Sequence, residues 1–84
     1  MHEAREEILH IDREEMFAVS RERFDGRRYF LDVLCDKSFA QFERRLEMNA
    51  EEVEWFLHDP QQFKTLVRQV QHWPHRFTGR LQPP

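Results

Sequence analysis

Eighty-four residues, 39% of them hydrophobic and including eight Phe and two Trp, suffice for one thin core, which excludes both a disordered chain and a multidomain one. A single cysteine, Cys35, excludes an intramolecular disulfide, and no apolar run approaches the roughly 18 residues of a membrane span. The net charge of -3 argues against general nucleic-acid affinity, although the charge is polarised: all 16 acidic side chains precede Pro60, while Lys64, Arg68, Arg76 and Arg80 follow it.

The N-terminal residues 2–13 are good helix formers, yet Ile8, Leu9 and Ile11 also suit a short strand, so this segment stays open between the two. The opening Met1-His2-Glu3-Ala4-Arg5-Glu6-Glu7 is acidic where a secretory signal is basic, and a reducing cytoplasm is the expected setting. Residues 15–24 and 28–35 flank Asp25-Gly26, the favoured pair for a two-residue type I′ hairpin turn. That turn predicts Phe24 opposite Arg27, Glu22 opposite Tyr29, Ser20 opposite Leu31 and Ala18 opposite Val33 on one face. Arg23 with Arg28, Arg21 with Phe30, Val19 with Asp32 and Phe17 with Leu34 fall on the other. The second face is polar near the turn and greasy at its far end. A competing helical reading of residues 12–24, with Asp12 and Glu15 as a capping box, is set aside because the cross-strand pairing is consistent.

Residues 39–48 form a third strand, with Phe42, Leu46 and Met48 alternating against Glu43, Arg45 and Glu47, and the short connector before it favours an antiparallel meander. The period then becomes helical. Asn49 and Glu52 make a capping box for a helix over 50–58 with Val53, Phe56 and Leu57 inward, and Asp59-Pro60 starts a second over 60–73. In that helix Phe63, Leu66, Val67, Val70 and Trp73 line one face, and Pro74 ends it. Residues 75–84 are expected as an extended or frayed tail. The fold class is therefore α+β: a single domain over 1–84, with a three-stranded antiparallel meander and two helices packed on one of its faces.

No residue pattern points to catalysis. Cys35 falls at the end of the inward face of its strand, where a free thiol behaves as a small buried hydrophobe, and no base can be placed beside it. His72 and His75 have a spacing seen in metal sites, but Pro74 breaks the helix between them and zinc wants three or four ligands. The expectation is a protein that is not an enzyme and takes no metal or cofactor, with no small-molecule substrate evident.

Surplus apolar surface is the more informative sign. Phe17, Phe30 and Leu34 share the sheet face opposite the helices, and Trp55 lies far round the helical wheel from Val53. Two helices cannot cover both faces, so either Ile8, Leu9 and Ile11 cover the second one or it docks a partner. The leading function is a small cytoplasmic protein-binding module of the immunity-protein, inhibitor, adaptor or subunit type, docking through Phe17, Phe30, Leu34 and Trp55 on another protein or on a second copy of itself. The alternative is a nucleic-acid-binding module using Arg21, Arg23, Arg27 and Arg28 at the hairpin and the basic C-terminal segment.

Overall fold

The computed structural model describes residues 6–24, 26–37 and 40–82. A five-stranded antiparallel sheet runs in the order β1-β2-β3-β4-β5, with β1 at Glu6–Asp12, β2 at Phe17–Glu22, β3 at Tyr29–Lys37, β4 at Ala40–Glu47 and β5 at Leu81–Gln82. Helices α1 (Ala50–His58) and α2 (Pro60–His72) follow β4, and a 3-10 turn over Pro74–Phe77 leads to β5. The three expected strands and both helices are present, and two further strands widen the sheet. No helix among the described residues is long and apolar enough to cross a membrane.

The open question over the N-terminal segment is answered by β1. The Asp12 carboxylate accepts hydrogen bonds from the amides of Glu14 (3.0 Å) and Glu15 (2.8 Å), but these close a hairpin turn over 13–16 instead of starting a helix. The turn ends at Met16, whose φ of 61° is left-handed, a conformation that a side chain with a Cβ adopts at some cost in strain. In β1 the pairing steps from Ile8↔Ser20 to His10↔Val19, so Leu9 is the extra residue of a β-bulge. The bulge puts Ile8 and Ile11 on one face while His10 and Asp12 point to the other.

One expectation is corrected in the central hairpin. Phe17 pairs with Val33, Val19 with Leu31 and Arg21 with Tyr29, one residue away from the predicted register. The faces of β2 are therefore exchanged, whereas those of β3 and β4 are as expected. A type I′ turn needs positive φ at both central residues, and Gly26 does not have it; Asp25 lies outside the described residues. Glu22 instead donates its amide to the Arg28 carbonyl at 2.9 Å, closing a longer loop. The gain lies in burial. The observed register buries Phe17 (6% exposed) and Val19 (0%) in place of Ala18 and Met16, and each large side chain so buried is worth about 1.5–3 kcal/mol.

The core lies between this sheet face and the helices: Phe17, Val19, Leu31, Val33, Leu46 and Met48 meet Phe63, Leu66, Val67 and Val70. Both helices start where the side chains dictate. Asn49 and Glu52 exchange the two bonds of a capping box at 2.9 Å each, and Asp59 accepts from the Gln62 amide at 3.2 Å ahead of Pro60. The expected inward positions of Leu57 and Trp73 are corrected, since they are 50% and 45% exposed at the ends of their helices. The inward positions of the Cys35 and Phe42 side chains lie outside the described residues.

Of the extended or frayed tail expected over 75–84, the described part through Gln82 is extended at its end and held in place. Leu81 and Gln82 pair with Leu46 and Arg45, and Arg80 donates to both carboxylate oxygens of Glu52 and, at 3.1 Å, to the Glu47 carbonyl. Glu52 is only 4% exposed, and a buried carboxylate needs such a partner. Thus the helix cap of α1 also clamps the C-terminal segment against β4.

Candidate functional site

The helices occupy one face of the sheet, and the other carries no layer of its own among the described residues. Pairing fixes its membership: Ile8 and Ile11 from β1, Ala18 and Ser20 from β2, Phe30, Asp32 and Leu34 from β3, and Glu43, Arg45 and Glu47 from β4. It divides into two halves of different chemistry.

Near the β2–β3 loop the face is closed by charge. Arg45 forks across three strands, its Nε reaching Asp32 at 2.7 Å and its Nη1 reaching Glu6 at 2.7 Å. Ser20 adds a long hydrogen bond to Glu6 at 3.4 Å. Beside this fork Arg28 bridges Glu22 (3.0 Å) and Glu47 (2.8 Å). Phe30 lies beneath both guanidiniums, 5.3 Å from that of Arg28 and 4.9 Å from that of Arg45. It is 5% exposed although it points away from the core. Arginine stems and heads thus do the work that a third layer would do.

The same fork perturbs the groups it joins. Hydrogen bonding from Arg45 holds the Glu6 carboxyl below its ordinary value of 4.5, against the opposing effect of partial burial. Hydrogen bonds to Asp32 and then to Glu6 raise the Arg45 guanidinium well above its ordinary range. A lowered carboxyl stabilises the fold fully above its unfolded value, and that contribution is lost as pH falls through the lower folded value. Glu6→Gln is therefore expected to lose stability near neutrality and to show a flatter decline than the wild type as pH falls from about 5 towards 3. Chemical denaturation across that range checks this, and parallel acid slopes in the two proteins would refute it.

At the far end the face is apolar. Met16, Ala18 and Leu34 with Ile11 line a shallow groove of about 270 Å³, rimmed by Arg13 and Glu43. Ile11 is 53% exposed and Ile8 64% exposed, both on the edge strand. Among the described residues, no element covers this patch.

The residues singled out from sequence are distributed differently. Leu34 lines the groove as expected. Phe17 is in the core, packed edge-on to Phe63 at 5.8 Å between ring centres, because of the register change. Phe30 is on the outer face but covered. Trp55 is half-buried and packs against the core cluster. Of the hairpin arginines, Arg21 pairs with Glu7 at 3.1 Å and Arg28 with Glu22 and Glu47, while Arg23 and Arg27 are exposed. Between those two Phe24 stands 78% exposed. Sequence reasoning weighed Ile8 and Ile11 only as cover for the second face; the shift of one residue at the Leu9 bulge is what aligns them, and simple alternation does not reveal it.

Among the described residues, no three His, Cys, Asp or Glu groups converge to hold a metal. Comparisons with protein-family models, with curated proteins and with solved structures return no match.

Proposed function

We propose that this chain is a small, non-enzymatic protein-binding module of the cytoplasm that docks on a partner protein through the uncovered face of its sheet. The observation that carries the reading is the pair of exposed residues Ile8 and Ile11 beside a groove lined by the half-buried Leu34, on a face that no other element of the described chain covers. A rim of Arg13, Asp32 and Glu43 would set orientation, and the apolar strip would supply affinity. A second copy of the chain is the first partner to examine, by sedimentation, since a two-fold pairing would set this apolar strip against its own copy.

A photoreactive residue placed at Ile11 is expected to crosslink one protein partner in the cells that make this chain. Ile8→Lys with Ile11→Lys should abolish the crosslinked complex, recovered through a separate tag, and leave thermal stability unchanged. A complex that survives both lysines refutes docking at this face.

One observation favours a second reading: Phe24, flanked by Arg23 and Arg27, is an exposed ring among cations, as single-stranded nucleic-acid binding requires. Binding of this kind falls steeply and linearly with salt on logarithmic axes and is lost in Phe24→Ala, whereas docking through Ile11 responds weakly to salt.

A further inference from the structure

On the helix side of the molecule the two layers do not match in width. The helices cover the middle of the sheet, and β1 extends past them, so that His10 and Asp12 face helix-side space at the margin. There the buried rings of Phe17 and Phe63 and the partly buried ring of Phe56 form one run at the edge of the core, with 5.2 Å between the centres of Phe56 and Phe63 and 5.8 Å between those of Phe63 and Phe17. His10 continues the run, its ring 5.5 Å from Phe17. Together with Asp12 and Lys64 these rings enclose a hollow of about 350 Å³.

The hollow has the proportions and lining of a small-ligand site, apolar walls with a few polar groups at the mouth. Its charges are not equivalent. Asp12 is engaged through Oδ1 with the amides of Glu14 and Glu15, holding the turn over 13–16. Lys64, on the first turns of α2, has no carboxylate partner among the described residues. His10 adds an imidazole to the lining. Of the two charged side chains in the lining, Asp12 is thus tied to the backbone and Lys64 is the one that can turn to a ligand lying against the aromatic rings.

We propose that this hollow binds a small carboxylate that carries an aromatic ring, its ring seated against Phe17, Phe56 and Phe63 and its carboxylate held by Lys64 with His10. Aromatic stacking supplies the seat, and the cation selects the anion over a neutral ring of the same shape. The site is separate from the uncovered sheet face, so it stands or falls independently of partner docking.

The probe is 3-phenylpropionate, titrated into the full chain and followed by amide chemical shifts, with neutral 3-phenylpropanol as its match. Shifts centred on His10, Phe63 and Lys64 are expected, with the acid binding about five-fold more tightly than the alcohol, a preference of the size of an exposed ion pair. Lys64→Met should remove the preference while the alcohol binds as before; Lys64 is exposed, so the fold is retained. Equal binding of acid and alcohol by the wild type overturns the assignment of ligand class. Absence of shifts up to the solubility limit of the probe, or shifts centred on Ile11 and Leu34, overturns the site.

Discussion

Phe17→Ala is expected to destabilise the fold by about 3–5 kcal/mol, the usual range for removing a buried phenylalanine. The ring is 6% exposed and touches Phe63 on α2 and His10 on β1, so its loss loosens three elements together. A domain of this size has a total stability of order 5–10 kcal/mol, so the variant should sit near the edge of unfolding at room temperature. Urea denaturation of Phe17→Ala beside Ala18→Ser makes the comparison sharp. In the hairpin register found here the first change is severe and the second mild, because Ala18 faces the groove. If the two variants lose equal stability, the face assignment of β2 is wrong.

Arg45→Ala carries the second large effect, about 2–3 kcal/mol. Removing one partner of a fully buried pair costs about 3–5 kcal/mol, and the one-third exposure of this arginine lowers that figure. Three consequences combine: Asp32, itself 17% exposed, loses its counter-charge, Glu6 is released, and the ring of Phe30 loses cover. Arg45→Lys is expected to recover less than half, because an ammonium cannot fork to two carboxylates and lie flat on a ring at once. Denaturant midpoints of the two variants and the wild type check the order. A loss under about 0.5 kcal/mol for Arg45→Ala would mean that the fork is an ordinary surface pair.

The helices were legible because their start signals are local. Asn49 with Glu52, and Asp59 with Pro60, name their helix ends within four residues, and the observed spans differ from the sequence reading by at most one residue. The outward direction of Phe30 and Leu34 was legible for a related reason, since alternation along β3 and β4 needs no knowledge of the turn. The orientation of β2 was not, because it was inferred from Asp25-Gly26, and a dipeptide preference is weaker than burying Phe17 and Val19. The C-terminal strand was illegible in principle. Its two residues are held by Arg80 on Glu52, a pairing across 28 positions that no periodicity announces. At the candidate site, Leu34 came from alternation, but the closure of Phe30 depends on arginines from β4 and from the loop before β3, and the exposure of Ile8 and Ile11 on one irregular step in β1.

That irregular step has a bearing on how the molecule tolerates crowding. A straight outer strand with free amides and carbonyls invites another copy to add on, and then another, which is the route to fibrils. An extra residue at Leu9 interrupts the regular spacing of those groups, and Glu7, His10 and Asp12 place polar atoms along the same border. Stepwise polymerisation by strand addition is thereby frustrated even though two isoleucines sit beside it, and concentrated solutions should stay clear where a smooth border would gel.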